Sequence, residues 1–443
     1  MAQWRIDSHE WKQPHNVTLF ESMMLADQHG NIVSGANPSG VAVDAFGRMR
    51  MSTPLTLFDS SHRYRDNGLW ATSNTAGANV VHSANEGLIN LALPTTADAE
   101  IIRETNKVFS YQPGKSLLVL STFVPATPKA NLRQRVGYFG TQNGIYFEID
   151  GTTAYFVERS YVTGELVETR VAQADWNVDN LLGPSVNVPG GIGPCPSKIT
   201  LDLTKAQIMW MDIEWLGLGT VRCGFVIDGK LIHCHSFHHA NIITSTYITT
   251  ATLPLRYEVK NTGTTASNST MKQVCSTVIS EGGYELRGSQ QAIGIPINAP
   301  RTLGTAGTFY PVIGLRLKTT RLDAVAILTA LSVMPISTGF FNWQIRALGS
   351  ITGGSWVSAG TDSALEYNIT GTAQTDGRIL ASGFFSASNQ GVTQIDILKE
   401  ALFKFQLERN GLTSTPYEIA LVVASDGADD TVVASMDWEE ISR

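Results

Sequence analysis

Apolar and polar positions alternate with a period of two over most of this chain, the repeat that sends successive side chains to opposite faces of a strand. The alternation is clearest in 207–215, where Met209, Met211, Ile213 and Trp215 form one set and the other set carries Asp212 and Glu214. Gly217 and Gly219 then turn the chain, and Val221, Cys223, Phe225 and Ile227 share a face of the return strand. Asp228-Gly229 reverses direction again into 231–237, so the segment predicts a three-strand meander. Within 145–172, Ile145, Phe147 and Ile149 are set against Glu148 and Asp150, and a further hairpin pivots at Thr163-Gly164. Each of these strands is expected to have one wet face. Seven Asn-Gly or Asp-Gly pairs, at 67, 143, 150, 228, 376, 410 and 426, supply the positive φ that tight hairpins need. The fold class they predict is all-β.

Three regions follow from the same pattern. Residues 1–50 are dominated by polar and turn residues with few periodic apolar positions, and read as an extended arm that orders against a partner. Residues 51–290 hold the first set of strands and end in a Thr-, Ser- and Asn-rich loop over 261–270, a short strand at 274–279 and a run of glycines; the boundary is placed near 290. Residues 291–443 predict strands at 310–318, 324–334, 342–351, 378–385, 403–408, 418–424 and 432–438, enough for a second sandwich. One short helix competes with a strand over 394–402, where Ile395, Leu398 and Leu402 share a face. No short-period repeat supports a solenoid or propeller.

Composition narrows the function classes. The 32 basic against 39 acidic residues give a net charge of −7, which argues against a nucleic-acid partner held by general basicity. The uncharged run between Asp323 and Arg346 is interrupted by Thr329, Ser332, Pro335 and Asn342 and reads as buried strands, so no membrane insertion is expected. The first residues carry no basic segment followed by an apolar stretch, and synthesis in a cytoplasm is expected. Cys195, Cys223, Cys234 and Cys275 form no CxxC pair and read as free buried thiols. With no phosphate-cradling glycine loop and no GxSxG elbow, no cofactor is expected.

Four constellations could carry chemistry. In His233-Cys234-His235-Ser236-Phe237-His238-His239, strand alternation puts His233 and His235 on one face, where two imidazoles could share a metal or gather around a trimer axis; half-exposed strand and turn histidines are the favoured reading. Asp212 and Glu214, two residues apart on one strand face, suit paired-carboxylate glycoside chemistry in principle. Leu216 stands where a third acidic residue would be needed, so solvated or paired carboxylates are favoured. Asp426, Asp429 and Asp430 around Gly427 could surround calcium but lack the spacing of a calcium loop, and read as a solvated acidic turn. Asn16-Val17-Thr18, Asn268-Ser269-Thr270 and Asn368-Ile369-Thr370 match glycosylation acceptors and are taken only as marks of surface loops.

From Val43-Asp44-Ala45-Phe46-Gly47-Arg48-Met49-Arg50-Met51-Ser52 through Pro54-Leu55-Thr56-Leu57-Phe58-Asp59-Ser60, the chain resembles a family of tailed-bacteriophage virion proteins. Further blocks follow in order: Tyr111-Gln112-Pro113-Gly114-Lys115-Ser116, Val136-Gly137-Tyr138-Phe139, Glu214-Trp215-Leu216-Gly217, Phe225-Val226-Ile227-Asp228-Gly229-Lys230, Pro254-Leu255-Arg256-Tyr257-Glu258, and 275–283. They cover residues 40–290. Around Trp215 and Asp228-Gly229-Lys230 the strand order is also similar to the back sheet of a concanavalin A or laminin G type jelly roll. The resemblance implies a virion structural protein of the tail, neck, fibre or baseplate, assembled in the host cytoplasm through its arm. Phe46, Arg48, Arg50, Phe58 and Asp59 would be its assembly residues, other virion proteins its partners, and a homo-oligomer, first of all a trimer, its state. A capsid decoration protein is the nearest variant. A host-glycan-binding module is a second class, marked by exposed Trp or Tyr on a concave face, and a polysaccharide depolymerase comes last. No catalytic residue is implied.

Overall fold

The computed structural model describes residues 54–184, 194–285, 288–387 and 406–442, and two short strands before them, β1 (Leu25–Ala26) and β2 (Ile32–Val33), paired antiparallel. The rest of the 1–50 arm, including Phe46, Arg48 and Arg50, and the candidate helix at 394–402 lie outside the described residues. The described chain is all-β, with antiparallel pairing throughout and a single 3₁₀ turn at Gln173–Asp175.

The first sandwich opens with β3 (Leu55–Ser61), β4 (Trp70–Thr75), β5 (Asn79–Ser83), β6 (Leu88–Leu93), β7 (Glu100–Thr105), β8 (Leu117–Val124), β9 (Leu132–Phe139) and β10 (Gly144–Asp150). It continues with β11 (Thr153–Ser160), β12 (Val167–Ala172), β13 (Gln207–Ile213), β14 (Val221–Ile227), β15 (Lys230–Phe237), β16 (Leu255–Asn261) and β17 (Ser269–Ser280). One sheet has seven strands in the order β12-β11-β10-β9-β16-β7-β4. The other has eight, β15-β14-β13-β8-β17-β6-β5 with β3 on β17. The meander expected over 207–237 forms one side of the second sheet. The strand expected over 274–279 is longer, a twelve-residue β17 bulged between Gln273 and Cys275 that pairs with β8 along one edge and with β6 and then β3 along the other.

Between the sheets lies one core, in which Phe147, Phe156, Trp176 and Phe225 form an aromatic knot with ring centroids 4.5 to 6.5 Å apart. Period-two alternation explains its origin, because Phe147 of β10 and Phe156 of β11 are directly paired and point to the same side, towards Phe225 of the facing β14. Phe58, read from sequence as an assembly residue, belongs to this core instead. It packs 5.1 Å from Phe109 and 6.0 Å from Trp70, because β3 is a paired strand and not part of the arm; Asp59, one residue on, faces solvent. All four cysteines are free, Cys223 and Cys234 buried and Cys195 and Cys275 half-buried.

A second core gathers residues from Leu303 to Trp438. Its strands are β18 (Ser289–Gly294), β19 (Arg301–Leu303), β20 (Tyr310–Leu317), β21 (Val325–Pro335), β22 (Phe340–Thr352), β23 (Val357–Ser358), β24 (Leu365–Asn368) and β25 (Ala373–Thr375). After these come β26 (Arg378–Ser386), β27 (Arg409–Asn410), β28 (Thr415–Pro416), β29 (Glu418–Ser425) and β30 (Asp430–Ser442). β18, β19 and β21 all pair with β30 in one sheet, while β23-β24-β20-β29-β22-β25 form the other with β26 on β22. Since β18 begins at Ser289, residues 289 and 290 belong to this second set of strands. The strand expected over 403–408 is reduced, in its described part, to one bridge between Gln406 and Ile327. Asn368 ends β24 and is buried, its side chain donating to the Gly353 carbonyl and accepting from the Thr370 N–H, so the surface-loop reading of that acceptor motif does not hold.

Replacing Phe156 with Ala deletes a fully buried ring from the knot and leaves a cavity that neighbouring rings cannot close. Chemical denaturation should show a loss of about 3–5 kcal/mol with the m-value unchanged.

Candidate functional site

The outer face of the seven-stranded sheet carries a lattice of charges that strand alternation assembles directly. Antiparallel register places Arg135 of β9 opposite Glu148 of β10 on one side and Glu258 of β16 on the other. It also places Arg159 opposite Glu168, Arg256 opposite Glu104, and Arg133 opposite Asp150. Arg135 donates from Nε to Glu148 at 2.5 Å, from Nη1 to Glu258 at 3.2 Å and from Nη2 to Glu168 at 3.5 Å. Arg170 bridges Glu148 and Asp150. Arg159 donates to Glu168 at 2.7 Å and to the Gly140 carbonyl at 2.9 Å. Tyr146 lies between the guanidinium groups of Arg135 and Arg159, 5.2 and 5.1 Å from its ring, and donates its hydroxyl to Glu168 at 2.8 Å. Gly137, directly opposite Tyr146, makes room for it: a Cβ there would stand 2.7 Å from the tyrosine Cβ.

This face is not the wet one that the alternation of Glu148 and Asp150 with Ile145, Phe147 and Ile149 suggests. Glu148 has no exposed surface and Arg135, Arg159, Arg256, Glu104 and Glu258 are all buried. Long arginine stems and the Phe139–Tyr146–Val157 cluster cover one another, so water is replaced by counter-charge. Both oxygens of Glu104, Glu148, Glu168 and Glu258 are engaged by arginines or, for Glu168, also by Tyr146. Burial is the largest influence on Glu104 and raises its pKa despite Arg409 and Arg256. For Glu168 burial is outweighed by Tyr146, Arg135 and Arg159, and its pKa falls.

The lattice continues into the second sandwich. Arg409, on β27, donates to Glu104 at 2.9 Å, and its backbone N–H donates to the Asn106 carbonyl. Gln406 donates to the Val108 carbonyl at 2.9 Å, Lys107 stands 3.8 Å from Glu408, and Val108 packs with Val325 and Ile327.

The residues singled out from sequence fall elsewhere and do not converge. His233 and His235 are separated by a bulge: Cys223 pairs with His235 and Gly224 with His233, leaving Cys234 as the extra residue that breaks simple alternation. The His233 ring meets the Ser236 hydroxyl at 2.9 Å and lies 5.9 Å from Trp210, while His235 Nδ1 accepts from the Asn177 N–H at 3.3 Å. Among the described residues, no three His, Cys, Asp or Glu side chains are grouped to hold a metal. Of these histidines, His233 is half-buried and His238 exposed, as expected, whereas His235 and His239 are buried. Asp212 is buried and accepts from Arg222 on the neighbouring strand, and Glu214 lies beyond the end of β13. Asp426 and Asp429 are exposed on the β29–β30 turn, Asp426 accepting from the Phe340 N–H at 2.8 Å and Asp430 from the Ser425 hydroxyl at 2.6 Å.

The arginine–glutamate lattice was missed because each strand was read alone. The signal lies between strands: Arg133/Arg135, Glu148/Asp150, Arg159, Glu168/Arg170 and Arg256/Glu258 occupy same-face positions of consecutive hairpins with alternating sign.

No protein-family model and no curated protein matches the chain. Among solved structures it is similar to a Bacillus licheniformis β-glucanase, with 13% identity and a TM-score of 0.32, over 50% of this chain and 96% of that one. It is similar to the CBM2 module of the evolved Dit of Lactobacillus casei BL23 phage J-1, with 7% identity and a TM-score of 0.32, over 52% and 98%. It is also similar to the carbohydrate esterase vb_24B_21 of the Shiga toxin-encoding bacteriophage phi24B, with 11% identity and a TM-score of 0.30, over 52% and 99%.

Glu148→Gln keeps the shape of the side chain but withdraws the charge facing buried Arg135. It should cost about 3–5 kcal/mol, several times the cost of Arg170→Gln at the half-exposed rim, as read from paired thermal melts. The histidines make a second prediction. Burial, first of all, lowers His62, His233 and His235 from 6.5 to about 4. Their neutral rings therefore stabilise the fold fully above about pH 6.5, and that contribution is lost as pH falls through 4. His239 has the opposite sign. Burial opposes its charge, but the hydrogen bond and charge of Glu158 outweigh it and raise the pKa, so its contribution is lost as pH rises through that value. Melting temperature should fall between pH 6.5 and 4, and His235→Gln should make that decline shallower.

Proposed function

We propose that this chain is a structural component of a bacteriophage particle, placed in the tail, neck, fibre or baseplate and held there by its N-terminal arm and sandwich surfaces. The observation that carries the reading is the closed lattice around Arg135. On the outer face of the seven-stranded sheet, every oxygen of the lattice's four glutamates is already bound, so none of these four carboxylates is left to activate water or protonate a leaving group. The ordered blocks that resemble virion proteins, from Phe46-Gly47-Arg48 to Glu281-Gly282-Gly283, support the same reading. A face neutralised from within makes a stiff plate suited to being one part among many.

A glycan-binding role would want an open aromatic platform on this face. Tyr146 is buried between arginines, and Tyr155 is covered by Arg170 with its guanidinium 4.2 Å from the ring. A depolymerase is disfavoured by the bound carboxylates, and a capsid decoration protein remains the nearest structural variant. Deleting residues 1–50 should leave two folded sandwiches that no longer enter particles, as measured by mass spectrometry of purified virions from complemented infections. Incorporation of the truncated chain at the full-length level would refute the role of the arm, and absence of the full-length chain from particles would refute the reading itself.

A further inference from the structure

The turn between β3 and β4 holds Arg63, Tyr64 and Arg65 outward. Tyr64 is 84% exposed, the highest value among the large hydrophobic side chains of the described residues, and Arg63 stacks over it at 5.3 Å. Among the described residues no carboxylate lies within ion-pair reach of either arginine. Yet the turn beneath them is anchored on every side. Asp66 receives two hydrogen bonds from the fully buried Arg103, at 2.9 and 3.0 Å, and Arg103 is held in turn by Gln273 and Thr72. His62 is completely enclosed, Asn67 donates to Ser60 at 2.6 Å and accepts from the Leu69 N–H, and Gly68 supplies the positive φ of 73° that closes the turn. Tyrosine and arginine on a preorganised support are the residue types that concentrate binding energy, because little conformational freedom is left to lose. Residues 63–66 are all exposed and enclose nothing, so the tip suits a receiving surface on another protein better than it encloses a small ligand.

The second sandwich carries a surface of opposite character. Phe340 at 71% and Phe384 at 74% exposed stand on the same face of β22 and β26, one register step apart, since Phe384 pairs with Asn342. The Phe340 N–H donates to Asp426, which ties the ring to the exposed acidic turn of Asp426 and Asp429. Neither carboxylate has a cationic partner among the described residues. Among the described residues no ion pair joins the basic tip to the acidic, aromatic patch within one chain. They are complementary in charge and in aromatic content, and the chain as a whole is acidic at −7.

We infer that the Arg63–Tyr64–Arg65 tip of one copy docks on the Asp426/Asp429/Phe340/Phe384 patch of a second copy of this chain, in a head-to-tail contact. This rests on the assembly role proposed above. Because the two surfaces differ, the contact is heterologous and generates a ring or a continuing array, not a two-fold dimer. Charge steers the encounter and the aromatic rings supply the buried area.

The test uses the full-length chain in sedimentation velocity at low and high salt. Wild type should form species larger than a dimer that dissociate as salt rises. Arg63→Glu with Arg65→Glu alters only exposed side chains, and Asp426→Asn with Asp429→Asn keeps the hydrogen-bond acceptor and tolerates the positive φ of Asp429, 59°, so both variants should fold. Each alone should associate at least about tenfold more weakly. Mixed one to one, they retain one intact tip and one intact patch and should stop at a dimer. A monomeric wild type, unchanged association of either variant, or a mixture that forms no dimer would overturn the contact. Membership of the particle is judged separately, by incorporation.

Discussion

A guanidinium taken out of water must be met by carboxylates, and Arg135 imposes that requirement on the outer face of the seven-stranded sheet, at its middle strand β9. Removing an ion from water costs several kcal/mol, repaid only where geometry is good on every side. Arg135 finds Glu148 on β10, Glu258 on β16 and Glu168 on β12, so four strands must hold one register for the charge to be satisfied. A slip of one residue would turn Glu148 towards the aromatic knot and Phe147 towards the arginines. Hydrophobic burial supplies the driving force in this core. The ion lattice on its back penalises the wrong alignments, because each would leave an unpaired buried charge. Stability and register are thus carried by opposite faces of the same sheet.

The same rule joins the two halves of the molecule. Glu104 sits where the lattice reaches β7, and Arg256 on the neighbouring strand answers only one of its oxygens. The other is answered by Arg409 from the second sandwich. Glu104 and Arg409 are both buried at the junction, and burial raises the pKa of Glu104 even with both arginines present. Without Arg409 the carboxylate would be left with one distant partner at 3.5 Å, so the first sandwich completes its own electrostatics only when the second is docked. The few apolar contacts around Val108, Val325 and Ile327 add area to a junction whose specificity comes from charge.

Much of the architecture could be read in the chain. Alternation over 207–237 gave the meander because the inward residues are uniformly apolar and the glycine turns are unambiguous. The long C-terminal strands were equally plain, with β20, β21, β22, β26 and β29 near their expected limits and β30 extending beyond the expected 432–438 at both ends. Two-residue strands such as β23 and β27 have no period to detect. Phe58 was misread because a phenylalanine flanked by Leu57 and Asp59 looks alike in an arm and in an outer strand, and only pairing with β17 decides between them. The histidine cluster failed for a related reason: a bulge at Cys234 is a property of two strands, invisible in one. The charged lattice was hidden most completely. A Glu on a polar face reads as solvated, and its burial depends on arginines drawn from strands more than a hundred residues away, as Glu258 is from Arg135.

A face that satisfies itself has a consequence for how such a protein can make contacts. A sheet face can engage a polar ligand only where its polar side chains remain unpaired, and on the outer face of the seven-stranded sheet the glutamates of the lattice are bound internally. Unspent capacity is found instead where the chain turns. The β3–β4 turn is rigid for the same reason the lattice is closed: Arg103, buried between the sheets, fixes Asp66 from below as Arg135 fixes Glu148 from the side. Buried arginines thereby stiffen the plate and hold the projecting tip, so the exposed Arg63 and Tyr64 can meet another surface without first being ordered. In this molecule the buried Arg103 and Arg135 do the positioning, while the exposed Arg63 and Arg65 have no carboxylate within ion-pair reach among the described residues.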